Sequence, residues 1–414
     1  MDDDRDILVT GLGVVSPIGI NVAEFVASIE SNQSGIRLWQ SPLLTKQFPA
    51  GVIEQDFASN FSKLQLPYLD RCSQLALIAA QQATKDAGLE AFGDYGPRAG
   101  LYYGSVTGSI KTQHDWLEQF YTEHKQNSKP FTIMASMLNS APSHISIKHQ
   151  ILGPVMTHSS ACSSSGAAIG DAMRAIRDGY LDVALVGGAE SALTPAFMAS
   201  WAGLRALAEI DSEDVSRSSK PFSSQRTGLV LGEGAVFMLL ESRQHAQARG
   251  VQPYARLSGY GIASDGHHIG SPASSGQIAA LKLALDDAKL AAADIAYMNA
   301  HATATPGGDP IETHSINAVF DRVPVSSTKA IHGHLLGAAS AIELAVSILA
   351  VNHDLFPATA HLDDIDVKCD LNHIAVVPRA AANIQHAISL SAGFGGTNVA
   401  LVTSKENKSS RRLT

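Results

Sequence analysis

Ile7-Leu-Val-Thr-Gly-Leu-Gly-Val-Val-Ser16 reads as a short apolar strand running into Gly-x-Gly-x-x-Ser, and Ala255-Arg-Leu-Ser-Gly-Tyr-Gly-Ile-Ala-Ser264 repeats the pattern about half the chain later. Self-similarity at that separation marks a duplicated unit. The seam falls in the polar Arg243–Val251 stretch, dividing the chain into halves at 1–250 and 251–414. A Gly-x-Gly after a strand also suggests a dinucleotide site. Here Ser16 and Ser264 stand where a third glycine belongs, and no well-placed acidic residue closes the unit, so nucleotide binding is disfavoured.

Outward from these segments, short apolar runs alternate with helix-periodic stretches, which argues for an α/β fold. Further strands are expected at Gly100–Gly104, Val155–His158, Val183–Gly187, Ala235–Glu241, Tyr297–Ala300, Val323–Ser326, Ile388–Ser391 and Val399–Val402. Helices are expected at Val22–Ser31, Arg71–Ala87, Met137–Gln150, Ser163–Asp178, Ser275–Ala288, Asp309–Phe320 and Gly337–Asn352.

Hydrophobic residues make up 45% of the 414 and charged residues 17%, enough apolar material for a substantial core. The net charge of −9 offers no global attraction to nucleic acid. Cys72, Cys162 and Cys369 are too far apart for a disulfide framework or a CxxC metal site, which fits a reducing, cytoplasmic setting. Met1-Asp-Asp-Asp-Arg5 lacks the basic-plus-apolar pattern of a signal peptide, and no uninterrupted apolar run suggests a membrane span. The polar tail from Ser404 to Thr414 is expected to fray.

Chemistry concentrates in four places. Cys162, in His158-Ser-Ser-Ala-Cys162-Ser-Ser-Ser-Gly166, falls where a strand hands over to a helix. Unpaired N–H groups and the macrodipole there are expected to lower its pKa and favour thiolate. His301, in Asn299-Ala-His301-Ala-Thr303-Ala-Thr305, and His334, in Lys329-Ala-Ile-His-Gly-His334-Leu-Leu-Gly337, also follow expected strands. Ligands gather outside the carboxyl ends of strands in open α/β sheets, so these groups can converge. His332-x-His334 lacks further ligands at zinc spacing, and no metal is expected. Gly393-Phe394-Gly395-Gly396-Thr397-Asn398 lets the backbone approach a ligand closely. A cysteine, two histidines and a glycine-rich loop make an acyl-transfer site.

With these residues in view, the chain resembles the β-ketoacyl-acyl carrier protein synthases of the fatty acid synthase II type, from Ile7 through Val402. The resemblance rests on Val9-Thr-Gly-Leu-Gly13, Ala161-Cys162-Ser-Ser-Ser, Val186-Gly-Gly-Ala-Glu190, Leu231-Gly-Glu-Gly234, Asn299-Ala-His301, Ser327-Thr-Lys329, Gly333-His334-Leu-Leu-Gly-Ala and Gly393-Phe-Gly-Gly-Thr-Asn398. It implies the thiolase fold, a duplicated αβαβα five-layer architecture with two mixed sheets. It also implies a decarboxylative Claisen condensation that lengthens an acyl chain by two carbons, in fatty acid or specialised polyene- or polyketide-like synthesis. Cys162 would carry the acyl group, the N–H groups of Cys162 and Phe394 would form the oxyanion hole, and His301 and His334 would stabilise the malonyl enolate. Two histidines imply an elongating enzyme, not a priming one. Lys329 and Glu343 match the supporting polar network.

By the same resemblance Thr303 and Thr305 would bind the phosphopantetheine arm, and no cofactor beyond that carried arm is implied. Lys63, Arg71, Lys125, Lys129 and Arg205 are candidates for docking an acidic acyl carrier protein. The implied assembly is a homodimer, or a heterodimer with an inactive chain-length homologue, with Met134–Leu138 helping to close the partner's pocket. Some positions depart from the family pattern. Ala302 would bring a methyl beside His301, Ala392 replaces an aromatic beside Phe394 and Gly395, and Thr107 replaces a bulky aliphatic, suggesting unusual acyl chains. A non-catalytic partner subunit is disfavoured because the nucleophile and histidines are present. A thiolase would need a second reactive cysteine, and the polar surroundings of Cys369 do not resemble one.

Overall fold

A computed structural model describes residues 6–406 and 411–413. The acidic Met1–Arg5 segment, residues 407–410 and Thr414 lie outside the described residues. The rest of the tail departs from the expected fraying. The chain is still in a strand at Ser404, Arg411 donates to Asp86 Oδ1 at 2.6 Å, and the Leu413 N–H donates to Asn352 Oδ1 at 3.0 Å.

The first half supplies strands β1 (Ile7–Val15), β2 (Ala99–Gly104), β3 (Val155–His158), β4 (Val183–Glu190) and β5 (Gly234–Ser242). The second supplies β6 (Ala255–Ser264), β7 (Tyr297–Asn299), β8 (Pro324–Ser326), β9 (Asn372–His373), β10 (His386–Ala392) and β11 (Thr397–Ser404). From the middle outward, the first half runs β1-β5-β4-β2-β3 and the second β6-β11-β10-β7-β8, with β9 added at its edge. Strand directions repeat as well. The two inner pairings of each half are antiparallel and the two outer ones parallel. The two mixed sheets join where Ile7, Leu8 and Val9 pair with Leu257, Arg256 and Ala255.

Alternation along the strands builds three apolar layers. On β5, Met238 and Leu240 face the central layer, while Phe237 and Leu239 face the outer layer with helix α1 (Arg71–Asp86). On β11, Val399 and Leu401 face the centre, while Ala400 and Val402 face helix α3 (Ser274–Ala288). Helices α2 (Ser164–Arg177) and α4 (Ala339–His353) fill the centre between the sheets, completing five layers. The stretch Leu336–His353 has the length and a mean hydropathy of 1.4 that a membrane span would need, yet 94% of it is buried inside this layer.

The repeated Gly-x-Gly has a packing role. A Cβ on Gly11 would lie 2.3 Å from Ala83 O, and one on Gly259 would lie 2.3 Å from Ala284 O. At Gly13 and Gly261 the distance to Ala79 O and Ala280 O is 2.0 Å in both cases. In each half a strand lies directly on the backbone of its covering helix, and only glycine allows that approach. The seam expected to be a polar stretch is a helix, Arg243–Arg249, capped by Ser242. Helices Ile110–Thr122 and Pro195–Gly203 were also absent from the sequence expectation.

Gly261→Ala is expected to cost about 1–3 kcal/mol through overpacking. Gly203→Ala, whose added Cβ meets nothing within 4 Å, should stay within about 0.5 kcal/mol. Urea unfolding of both variants measures the difference, and equal stabilities would contradict the strand-on-helix contact.

Candidate active site

The carboxyl ends of parallel strands gather the reactive groups. Cys162 lies between β3 and α2, His301 follows β7, Lys329 and His334 follow β8, and Phe394 lies between β10 and β11. Thus Cys162 and His334 occupy equivalent loops of the two halves. Each loop ends the third strand of its half and leads into a central helix.

Several local devices aim these loops. Ala161 holds a left-handed backbone (φ 52°), a strain of about 1–3 kcal/mol for a residue with a Cβ. The Ser164 N–H and hydroxyl both donate to Ala161 O, keeping the turn in place. The His334 loop is clamped to Leu231-Gly-Glu-Gly234. His334 N–H donates to Val230 O at 2.7 Å, and Gly232 N–H donates to His334 O at 2.9 Å. A Cβ on Gly232 would lie 2.7 Å from His332 O, so the close approach requires glycine. The Glu312 carboxylate accepts the His301 and Ala302 N–H groups, each at 2.7 Å.

His334 Nε2 lies 2.9 Å from Cys162 Sγ, and the rings of His301 and His334 stand edge to face with centroids 5.3 Å apart. Lys329 Nζ lies 3.3 Å from His301 Nδ1, donates to His301 O at 2.6 Å, and is hydrogen-bonded to Glu343. An ammonium can only donate, so His301 Nδ1 accepts and its proton sits on Nε2. The Ser391 hydroxyl donates to the other Glu343 oxygen at 2.7 Å.

Burial sets the protonation states. It holds His301 and His334 well below the usual histidine range, assisted by the Lys329 charge, so both are neutral near pH 7. Burial raises the Glu343 carboxyl, while Lys329 and Ser391 oppose that rise. The expected depression of the Cys162 pKa is corrected. Burial pushes the thiol up to about 12, outweighing the Lys329 charge and a hydrogen bond from the Phe394 amide, both of which favour thiolate. The residue also precedes Ser163, the N-cap of α2, and therefore stands outside the first turn. The resting group is a thiol beside a neutral imidazole.

Thr303, Thr305, Ala392, Phe394 and Gly395 line one cavity of about 380 Å³ with Cys162 and both histidines. Thr107 does not line it. Its hydroxyl donates to buried Glu190 at 2.5 Å, and Glu190 also accepts the Val106 and Gly337 N–H groups. Ala302 is packed in the outer core of the second half, so its methyl does not narrow the cavity. Among the docking candidates, Arg205 lies exposed on the cavity rim, and Lys63 and Lys129 are exposed. Lys125 is exposed and paired with Glu123. Arg71 is not available for docking, because it donates twice to Glu233 and once to Ile53 O.

His332 is occupied internally, with Nδ1 on Gly333 O and Nε2 on Thr328 Oγ1, so His332-x-His334 is not a ligand pair. Cys162, His301 and His334 do bring ligand-type atoms within 4.8 Å of one another, but the Lys329 charge beside His301 opposes a dication there. Sequence reasoning missed Glu312 and Arg226. Arg226 donates to the carbonyls of Thr305 and Pro306 and so supports the threonine loop. The signal available for Glu312 was a carboxylate three residues beyond Asp309 at a helix start.

Residues 4–246 match the family model "Beta-ketoacyl synthase, N-terminal domain", and residues 254–363 match "Beta-ketoacyl synthase, C-terminal domain". The chain belongs to the β-ketoacyl synthase family. The synthase is 34% identical over 416 residues to 3-oxoacyl-[acyl-carrier-protein] synthase 2 of Coxiella burnetii, covering 97% of this chain and 99% of the relative. It is 35% identical over 410 residues to nodulation protein E of Rhizobium leguminosarum bv. trifolii, covering 96% and 98%. A solved structure, the ishigamide ketosynthase/chain length factor, superposes with a TM-score of 0.89 at 29% identity, covering 97% of this chain and all of that one. The synthase is therefore an acyltransferase that forms carbon–carbon bonds, an elongating β-ketoacyl synthase of fatty acid or polyketide biosynthesis on the thiolase fold.

Alkylation of Cys162 by iodoacetamide should speed up roughly tenfold per pH unit from about pH 7 to 10, because the thiolate fraction grows that way below a pKa near 12. Peptide mapping of the labelled protein measures it. A plateau above about pH 9.5 would show that the thiol ionises in its ordinary range, near about 8.5.

Proposed function

We propose that Cys162 accepts an acyl chain from a carrier-protein thioester and that His301 and His334 drive its extension with a malonyl thioester. The observation that carries this reading is the 2.9 Å contact between a buried thiol and a neutral imidazole, beside a second imidazole whose donor nitrogen is fixed by Lys329. In the first step Cys162 Sγ attacks the thioester carbon and its proton passes to His334 Nε2. The Cys162 and Phe394 N–H groups hold the oxyanion. Collapse expels the carrier thiol, which recovers the proton. In the second step the malonyl C–C bond breaks, carbon dioxide leaves, and the electron pair forms an enolate. Its oxygen accepts from His301 Nε2–H and from His334, whose single proton has moved from Nδ1 to Nε2 once the thiol is acylated. The enolate carbon attacks the acyl-Cys162 carbonyl, and the cysteine sulfur departs with the C–S electron pair and takes a proton from solvent to restore the thiol, leaving a 3-oxoacyl thioester on the carrier.

Thr303 and Thr305 would take the polar groups of the pantetheine arm, with Arg226 bracing their loop. Ala392, which lines the cavity, is the departure that widens it, and it supports acceptance of bulky or unsaturated chains. The outer edge of β3 presents exposed Met156, close in sequence to exposed Leu152 and Ile147. Ile133, Met134, Met137 and Leu138 are also exposed. An unpaired apolar edge of this kind suits pairing with a second, homologous chain, as in a homodimer or a ketosynthase–chain length factor pair.

Intact mass after incubation with a panel of acyl-carrier proteins tests the reading. Wild type should gain one acyl group and Cys162→Ala none, and the preferred chain distinguishes saturated from polyene substrates. Absence of acylation from every donor, with or without a homologous partner, would refute it. Separately, Arg205→Glu is expected to raise the KM for carrier protein about tenfold with little change for a free pantetheine thioester. Arg71→Ala should instead lower the melting temperature by leaving Glu233 unpaired. Equal KM values in the Arg205 variant would remove it from the docking surface.

A further inference from the structure

The Trp201 indole stacks on the Phe394 ring, with centroids 5.6 Å apart and planes 22° apart. Phe394 carries an amide that hydrogen-bonds to the Cys162 sulfur, yet the residue is 43% exposed. The flanking Gly393, Gly395 and Gly396 offer no side chains to pack on the ring, and the last two hold φ values of 85° and 86°. Backbone bonds tie the neighbours: Gly393 N–H to Thr397 O, Gly395 N–H to Ile269 O, and Gly396 N–H to Gly393 O. Ala392 adds only a methyl on the cavity side. The aromatic stack is therefore the one ring–ring contact that Phe394 makes among the described residues.

Trp201 is well placed to act as an anchor. It sits on helix Pro195–Gly203, which packs through Met198 into a small core with Leu229 and Leu336, and it meets Phe197 edge-on at 6.1 Å. The helix is remote in sequence from both catalytic histidines. We propose that Trp201 is a positioning residue that holds the Phe394 ring so that its N–H points at the oxyanion formed on acylation of Cys162. The proposal rests on the reading of Phe394 as an oxyanion donor. A fixed donor costs no reorganisation when charge develops, whereas a donor on a loose glycine loop must be ordered in each turnover. Losing the ring contact should therefore lower the rate of the chemical step more than it weakens substrate binding.

Single-turnover acylation of Cys162 by a short acyl-pantetheine thioester tests this, because that substrate needs no docking patch. Removing an oxyanion donor outright typically costs about 10²–10³ in kcat, so Trp201→Ala, which only loosens it, should lose about 10- to 100-fold in the acylation rate. KM should stay within about threefold, and Trp201→Phe, which can still stack, should recover most of the rate. In a double-mutant cycle with Phe394→Ala, which keeps the N–H but lacks the ring, the two losses should fail to add. The Trp39→Phe/Trp116→Phe background leaves Trp201 as the sole indole of the three in the chain. Its emission should change with Phe394→Ala and again on acylation. A raised KM at unchanged kcat, or additive losses in the cycle, would overturn the proposal and make Trp201 a cavity wall. If wild type itself fails to acylate, the acyl-transfer reading falls instead.

Discussion

The Lys329 ammonium is buried where the ends of β7 and β8 meet the central helix α4, and its acceptors come from different elements: the ring and carbonyl of His301, and Glu343 of α4. Such a charge is tolerated only with its partners in place, and breaking a buried pair typically costs about 3–5 kcal/mol. The constraint reaches outward from there. Glu343 also holds Ser391 of β10, so the strand leading to the Phe394 loop is tied into the same network. Burial is the larger cause of the neutral state of both histidines; the charge adds to it and fixes which nitrogen of His301 bears a proton.

Duplication explains how these parts arrive together. Each half delivers its third strand to a tight turn and then to a central helix, and the two turns meet where His334 Nε2 lies 2.9 Å from Cys162 Sγ. One turn carries the thiol and the other the histidine that touches it. The glycine pairs at Gly11/Gly13 and Gly259/Gly261 seat α1 and α3 on β1 and β6, the two strands that join the sheets. A packing device on the outside of the molecule thus supports the seam along which the halves meet.

Carboxylates recur as loop braces. Glu190 gathers the Val106, Thr107 and Gly337 N–H groups, Glu312 gathers those of His301 and Ala302, and Glu233 is shared by Arg71 and Ser191. Burial pushes Glu312 up to about 8. In each case a buried carboxyl satisfies backbone donors or a cation that would otherwise be stranded away from water. Thr107 shows the consequence for specificity, since its hydroxyl is committed to Glu190 and the residue does not line the cavity.

The duplicated α/β plan, the strands that end at the site, and the identity of the thiol, the histidines and the glycine-rich loop are all legible in the linear order of residues. Those features are local, carried by periodicity within a segment or by residue types within a few positions. Tertiary structure alone decided what depends on distance and burial between remote segments. It raised the Cys162 pKa where the local helix argument lowered it, because desolvation outweighs the nearby favourable charges. It placed Arg71 against Glu233 while leaving Arg205 on the rim, although both stood in the sequence as candidates for docking an acidic carrier protein. It turned Ala302 into the core, and it brought Trp201 onto Phe394. A linear pattern reports which groups a chain contains, but the field and solvent each one meets are set only when the two halves close over it.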